Sequence, residues 1–332
     1  MAISYNSVDI KGVVFEPIIE EILFENNTIK NSLVDFVEDV KAETIFTENI
    51  NSVTQQPYTS GTPTSSGTFS LVDTVVTPVK VMYYHEFDTN TLRATRFKRD
   101  MKAGAWNTAS TEFEKVVLGN YGTRIGLDAE SKFWNSASSA TKTAVAALTA
   151  GTTQSFVGAA EKTYVAAAPA SEFDGVITRM IYNAGGVGAR IKVAGTTITS
   201  SNIATEYQKV YAAIPAAVLN GVEAPFIYAP YSHKQLINSY NIAATYRDLF
   251  TVDIKGDTYF YNGIEIKFVP IAENTLVAAI WSHIKWCTDS MSDLNTMKID
   301  KIAANQDKEF LKVVFSQYAH VVNQAFNVLY LG

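Results

Sequence analysis

The feature that most constrains this chain is a tract of twenty residues, 51–70, without a single charged side chain. The tract is rich in Ser, Thr, Gly and Pro, which favour turns, and β-branched and aromatic residues lie on either side, in 41–48 and 74–84. Such residues are typical of strands, so the pattern predicts a long β-hairpin. Unstructured loops of this length are uncommon in compact domains, and disordered chains carry more charge. The sequence therefore predicts a projecting hairpin that a partner covers.

The composition indicates extensive burial of apolar surface. Hydrophobic residues make up 47% of the 332 residues and charged residues 18%, against roughly 25% charged residues in typical soluble proteins. The chain has 17 Tyr and 18 Phe. These rings are enriched at interfaces between proteins and equally fill large cores, so composition leaves both uses open. A chain of this length can form two intertwined domains.

Cysteine usage and hydropathy argue against several classes of protein. The single cysteine, Cys287, excludes an intrachain disulfide framework and cysteine-based zinc clusters. The first residues lack the pattern of a secretion signal, and no segment has the ~18 consecutive apolar residues that a membrane-spanning helix needs. The sequence therefore predicts a protein that is made in a cytoplasm and does not enter a membrane.

The sequence lacks the common motifs of catalysis and cofactor binding. It has no Gly-x-x-x-x-Gly-Lys, no His-Glu-x-x-His and no Gly-x-Ser-x-Gly pattern. The glycine run at 185–188 lacks the rest of a dinucleotide site and is interpreted as a turn. His85, His233, His283 and His320 are far apart in sequence, and we expect each to be structural. The sequence thus predicts no catalytic residue, no metal, no cofactor and no enzymatic activity.

Charge is distributed unevenly along the chain. Residues 1–50 contain ten acidic residues and three lysines, whereas a basic cluster follows the hairpin. Without interleaved aromatic residues, that cluster is a weak signal for nucleic acid. Pairing with acidic residues of another chain and simple exposure to solvent are the alternatives. The basic cluster consists of Arg93, Arg96, Lys98, Arg99 and Lys102.

Capping and turn signals predict an α+β order of elements. A short helix at 17–24 precedes the hairpin, and the Thr-x-x-Glu pattern at Thr111 predicts a helix to about residue 135. Residues 136–170 are rich in small residues and are expected to form loops with one short helix at 141–150. A two-residue hairpin turn is predicted at Asn262 and Gly263. The other predicted elements are helices at 203–214 and 232–240 and strands at 225–230, 259–261, 264–268, 277–281, 297–302, 310–315 and 326–331.

The order and spacing of several segments resemble the major capsid proteins of tailed bacteriophages. The similarity begins at 87–134, which is similar to the region where the hairpin of those proteins returns and their long helix starts. The matching segments are TLRATRFKRDMKAGAW (91–106), STEFEKVVL (110–118), DAESKFW (128–134), FDG (173–175), YQKVYAAIP (207–215), NGIEI (262–266) and ENTLVAAIW (273–281).

This resemblance implies the HK97-type capsid fold, which is α+β, and a division of the chain into four parts. The N-terminal arm would comprise residues 1–45 and the extended loop residues 46–92. The peripheral domain would comprise 93–172 and 285–332, with the spine helix at 107–135, and the axial domain would comprise 173–284.

The resemblance further implies a major capsid protein that assembles into hexamers and pentamers of an icosahedral shell around double-stranded DNA. Its partners would be copies of itself, scaffolding, portal and cement proteins, and packaged DNA contacted non-specifically. It would be made in the bacterial cytoplasm and reside in the virion capsid. Some members cross-link a loop lysine to a neighbour's asparagine, but no lysine lies between Lys41 and Lys80, so we expect no such cross-link.

Three groups of residues are candidates for assembly contacts. The hairpin would lie over a neighbouring subunit, with apolar anchors at its tip and along one strand, and the arm would clasp another subunit. Arginines of the basic cluster would meet acidic residues across an interface and set its register. The candidates are Thr54, Tyr58 and Phe69 in the hairpin, Ile18, Ile22 and Phe24 in the arm, and Arg93, Arg96 and Arg99 in the basic cluster.

Two other functions are compatible with the sequence. An encapsulin-like cellular compartment would share the architecture and package protein cargo, and the genes beside this one would distinguish it from a phage capsid. A monomeric enzyme or carbohydrate-binding module could also carry a long hairpin, and a protein that stays monomeric at high concentration would favour that alternative.

Overall fold

Long strands and one helix of 25 residues set the framework of the fold. The structure is a computed structural model that describes residues 27–41, 43–88, 111–148, 157–182, 191–244, 249–253, 255–289, 297–302 and 308–332. Several predictions lie outside the described residues: the helix at 17–24 with Ile18, Ile22 and Phe24, the basic cluster with Arg93, Arg96 and Arg99, and the glycine run at 185–188.

The strands of the described residues are numbered in chain order. They are β1 (Asp35–Val37), β2 (Thr44–Val53), β3 (Gly67–Val76), β4 (Val79–Asp88), β5 (Ile191–Ala194), β6 (Phe226–Ala229), β7 (Phe250–Asp253), β8 (Thr258–Tyr261), β9 (Ile264–Phe268), β10 (Thr275–Ala279), β11 (Ile284–Cys287), β12 (Met297–Lys301), β13 (Lys308–Val321) and β14 (Val328–Leu331).

The helices are numbered in the same way. They are α1 (Asn27–Lys30), α2 (Thr111–Asn135), α3 (Ser139–Ala147), α4 (Ala159–Ala167), α5 (Val176–Ile181), α6 (Ile203–Ala213), α7 (Ala216–Leu219) and α8 (Ser232–Ala243). Short 3-10 turns occupy Trp281–His283 and Gln324–Phe326. None of the helices described is long and apolar enough to cross a membrane.

Two mixed sheets form the body of the fold. In the first, β13 pairs with β4, β12 and β11, and β1 lies parallel to β11. The second sheet has the order β5-β14-β10-β6-β9-β8-β7. Strands β2 and β3 pair only with each other within the described part of the chain. Both sheets join segments that are distant in sequence, in agreement with the predicted α+β class.

The second sheet is buried on both faces. Successive residues of a strand point to opposite faces, and Tyr228 belongs to one hydrophobic cluster whereas Ile227 belongs to the other. The first cluster contains residues of α2 and α5, and in it Phe133 stacks on Trp286 with 4.1 Å between ring centroids. The second cluster contains residues of α6 and α8. Many of the aromatic residues therefore fill cores.

The strongest local predictions are confirmed. Helix α2 covers the predicted segment that begins at Thr111. Asn262 and Gly263 have φ angles of 49° and 83° between β8 and β9, as a type I′ turn requires. Helix α6 begins after Asn202 and ends before Pro215, as the capping and stop signals predict.

One local prediction is wrong, and one predicted strand is longer than expected. Residues 136–170 form α3 and α4 rather than loops with one helix, because contacts between the two helices add to their weak periodicity. The strand predicted at 310–315 is the 14-residue β13. It extends further because it pairs with three other strands along its length.

Candidate assembly surface

The predicted hairpin is a two-stranded ribbon that begins at Thr44 and ends at Val76. Strands β2 and β3 pair over ten residues each, from the Thr44–Val76 pair to the Val53–Gly67 pair. Both strands extend into the uncharged tract, which the sequence had assigned to turns. Gly67 has a φ of 118°, and a Cβ there would collide with the carbonyl of Ser52. We call residues 44–76 the hairpin ribbon.

One face of the hairpin ribbon packs against the body at its base. Directly paired residues of two antiparallel strands share a face, so Phe46, Glu48 and Val76 lie on the same side. Val76 is fully buried beside Val40 and Cys287. The ring of Phe46 stacks on the ring of His320 with 5.2 Å between centroids. These contacts attach the base of the ribbon to β11 and β13.

The opposite face of the hairpin ribbon is exposed and carries five apolar side chains beside the polar residues Thr47, Asn49, Asn51 and Asp73. Ile45 pairs with Val75 on this face, and Leu71, Phe69 and Val53 follow along the ribbon. The exposed fractions of these five side chains range from 48% to 89%. Asp73 also lies on this face, where its carboxylate accepts a hydrogen bond from Thr47 Oγ1 at 2.7 Å. We call Ile45, Val53, Phe69, Leu71 and Val75 the apolar face.

The tip of the ribbon, residues 54–66, is held by hydrogen bonds of its own side chains. Gln56 Nε2 donates to the carbonyl of Thr64 at 2.9 Å, and Ser66 Oγ donates to the carbonyl of Thr54 at 2.7 Å. The Tyr58 side chain is 94% exposed. The tip therefore presents hydroxyl and amide groups and one aromatic ring to solvent.

The structure places the predicted hairpin residues at different parts of this surface. Phe69 lies on the apolar face, whereas Thr54 and Tyr58 lie in the exposed tip. Their role in assembly stays a prediction. The sequence alone did not single out Ile45, Val53, Leu71 or Val75. Apolar residues occur on both faces of β2 and β3, so the set that shares one face is identified only from the strand register.

A second exposed surface lies on the first sheet. Helix α2 covers one face of β4 and β13, where Tyr83 OH donates to Asp128 at 2.6 Å. On the other face Met82 and Tyr84 are exposed, and the Tyr84 ring lies 5.6 Å from the ring of Phe310. We call this face, with Met82, Tyr84 and Phe310, the open face.

The four histidines lie beside aromatic rings or polar side chains. His233 Nδ1 lies 3.1 Å from Tyr207 OH, and burial lowers the pKa of His233 to about 4. His283 Nδ1 lies 3.1 Å from Asn327 Oδ1. The ring of His85 lies 5.2 Å from that of Tyr121. Within the described residues, no group of three His, Cys, Asp or Glu side chains could hold a metal ion.

No family model and no curated protein matches the sequence. Solved structures do resemble the fold. The capsid of an empty GTA particle aligns with a TM-score of 0.54 at 8% identity, over 99% of this chain and 94% of that chain. The capsid of Myoviridae phage XM1 aligns with a TM-score of 0.52 at 9% identity, over 92% and 91%. A Mycobacterium phage Bobi structure aligns with a TM-score of 0.51 at 8% identity, over 100% and 95%.

These alignments extend over nearly the whole of each chain. At identities below 10% they establish a shared fold. The α+β architecture predicted from the sequence is confirmed, and this chain has the HK97-type fold of tailed-phage capsid proteins.

Proposed function

We propose that this protein is the major capsid protein of a tailed phage, and that it assembles into hexamers and pentamers of an icosahedral shell around double-stranded DNA. The observation that carries the proposal is the apolar face of the hairpin ribbon, on a chain with a capsid-protein fold. Apolar side chains that project into water on a long ribbon are typical of a surface that binds another protein. A neighbouring subunit would cover them.

The energy available from the apolar face is large enough to matter for assembly. Full burial of one Val, Leu, Ile or Phe side chain contributes roughly 1.5–3 kcal/mol. Part of that gain offsets the entropy lost on association. Five such side chains lie together on one face of the ribbon, so their combined burial can support a stable contact between subunits.

The strand edges of the ribbon are also suited to pairing with another chain. Proteins usually protect free edges with Lys or Pro, and β2 and β3 contain neither. Each strand has one charged residue, Glu48 or Asp73. Backbone pairing would therefore add to the apolar contact when the ribbon lies over a neighbour.

The parts of the chain have corresponding proposed roles. Residues 46–92 would be the extended loop, 173–284 the axial domain, and 93–172 with 285–332 the peripheral domain around α2. The arm at 1–45, with Ile18, Ile22 and Phe24, would clasp a second subunit. Arg93, Arg96 and Arg99 would pair with acidic residues across an interface.

The proposed partners follow from this role. Scaffolding and portal proteins would join during assembly, cement proteins could bind the outer surface, and packaged DNA would be contacted without sequence specificity. The protein would be made in the bacterial cytoplasm and reside in the virion capsid.

Negative-stain electron microscopy of the purified recombinant protein tests the proposal. We expect closed shells, tubes or ring-shaped capsomers, with co-expressed scaffolding protein if one is encoded nearby. A variant in which Asn-Gly replaces residues 54–66 should retain a folded body and form fewer or less stable shells. Normal shells from this variant would contradict the role of the tip. A monomer under all conditions, with scaffolding protein present, would contradict the proposed function.

A further inference from the structure

The root of the hairpin ribbon contains a buried carboxyl group. Glu48 is 8% exposed although it lies in a ribbon that is otherwise largely in solvent. Toward the base, Phe46 and Val76 pack on the body, whereas Asn49 and Asn51 are exposed. Further out on the same face as Glu48, Ser52 is exposed, so Glu48 lies near the point where the ribbon leaves the body.

The body places one backbone N–H, that of Asn323, near this carboxyl group, where it acts to lower the pKa of Glu48. Asn323 has left-handed backbone angles, φ 50° and ψ 51°, in the turn after β13. Its Nδ2 lies 3.4 Å from Nε2 of His283, whose Nδ1 lies 3.1 Å from Asn327 Oδ1. The contact thus joins the ribbon to a network of uncharged polar groups.

Other titratable and charged groups face the root from several elements. Lys285 on β11 lies over the Phe46 ring at 5.8 Å and pairs with Asp35. Asp73 on β3 lies on the opposite face of the ribbon. None of these groups forms an ion pair with Glu48 in the described part of the chain. The remaining groups around the root are Cys287 on β11, Tyr318 and His320 on β13, Arg179 on α5, and His283.

A buried carboxylate without a cation is costly, and protonation removes most of that cost. Burial raises the pKa of Glu48, and the Asn323 N–H opposes the shift without cancelling it. When the ribbon root swings away from the body, the carboxyl group regains water and its ordinary pKa. The docked ribbon therefore holds the proton more tightly than an undocked ribbon does.

We propose that Glu48 is a pH-sensitive latch, which favours docking of the ribbon root when its carboxyl group is protonated and weakens docking when it is ionised. The gain in docking is complete below the ordinary titration range of glutamate. It is lost as the pH rises through the range of the docked group. The latch belongs to the single chain and does not depend on the proposed assembly.

The two nearby histidines act in the opposite direction. Burial lowers the pKa of His283, and it lowers the pKa of His320 to about 3. The Nε2 atom of His320 is buried without a hydrogen-bond partner among the described residues. Protonation of either ring would weaken the docking of the ribbon root onto the body at low pH. The contribution of Glu48 must therefore be measured as a difference between variants.

Pulsed electron paramagnetic resonance measures the distance between two spin labels. That distance differs between a docked and an undocked ribbon. One label replaces Ser60 in the tip (Ser60→Cys) and one replaces Ser239 on α8 (Ser239→Cys), both exposed positions. Cys287 will stay unlabelled because it is buried, and burial raises its pKa to about 12. Labelled full-length chains are diluted with unlabelled protein, so that only distances within one chain are recorded at pH 8 and pH 4.5.

Three proteins are compared: the labelled parent, the same chain with Glu48→Gln, and the same chain with Glu43→Gln. Glu43 is exposed just before the ribbon and serves as the matched control. We expect the docked fraction of the parent, relative to that of Glu48→Gln, to rise at least threefold from pH 8 to pH 4.5. The Glu43→Gln protein should follow the parent. An equal response to pH in the parent and Glu48→Gln, including no response in either, overturns the proposal.

Discussion

The ammonium groups of Lys142 and Lys162 each cap the carboxyl-terminal end of the helix that carries the other. Lys142 on α3 donates to the carbonyl of Ala168, at the end of α4, at 2.6 Å. Lys162 on α4 donates to the carbonyl of Leu148, at the end of α3. The last carbonyls of a helix lack partners and carry partial negative charge. This reciprocal capping explains how two short helices of small residues are stable here.

Removal of either lysine should therefore destabilise the protein. We expect Lys142→Met and Lys162→Met each to lower the free energy of unfolding by about 1–2 kcal/mol, toward the low end for a hydrogen bond to a charged group because both lysines are partly exposed. Urea denaturation measures the effect. Lys255→Met, at an exposed lysine outside this pair, should change stability by less than about 0.5 kcal/mol. Equal stability of all three variants would show that the caps contribute nothing.

The hydroxyl group of Thr28 holds the first described residues against α2. Thr28 Oγ1 donates to Glu130 at 2.6 Å and accepts from Trp134 Nε1 at 3.0 Å, and all three side chains are buried. Thr28→Val removes both bonds and should cost about 2–4 kcal/mol of stability. Thr28→Ser keeps the hydroxyl and should cost less than about 1.5 kcal/mol. Thermal or urea unfolding measures the stability of both variants. If Thr28→Ser is no more stable than Thr28→Val, this role of the hydroxyl group is contradicted.

Glu130 should make stability depend on pH. Burial raises the pKa of Glu130, although donors from Thr28 and Asn27 oppose the shift. The folded state therefore holds the proton more tightly than the unfolded state. This contribution is present below the ordinary pKa of 4.5 and is lost as the pH rises through the folded-state value. We expect the stability of the wild type relative to Glu130→Gln to fall from pH 4.5 to pH 8 in urea denaturation. A constant difference would contradict the prediction.

The two faces of the hairpin ribbon should differ in their effect on assembly. Leu71 and Ser70 are adjacent, both are exposed, and they lie on opposite faces. Leu71→Asp places a charge on the apolar face and should abolish shells or capsomers, while the unfolding free energy changes by less than about 0.5 kcal/mol. Ser70→Asp is the matched control and should assemble. Sedimentation velocity and electron microscopy measure the assembly of both variants. Assembly of Leu71→Asp at wild-type yield would refute a role for this face.

Local sequence signals determined much of the architecture. The uncharged tract between two β-rich segments predicted the hairpin, the Thr-x-x-Glu pattern at Thr111 predicted α2, and Asn262-Gly263 predicted a turn. These signals succeed because each depends on a few neighbouring residues: turn geometry, capping and side-chain period are local properties of the backbone. The order and spacing of the segments that resemble capsid proteins also indicated the fold.

Tertiary structure alone decided which groups are buried and which face solvent. Ile45 and Glu48 are only three residues apart in β2, yet one is exposed on the apolar face and the other is covered by the turn at Asn323. The reciprocal caps of Lys142 and Lys162 and the length of β13 depend on partners that are distant in sequence or on a neighbouring element. A local pattern gives the period of a strand or helix, but the register and packing that choose its buried face come from contacts across the fold.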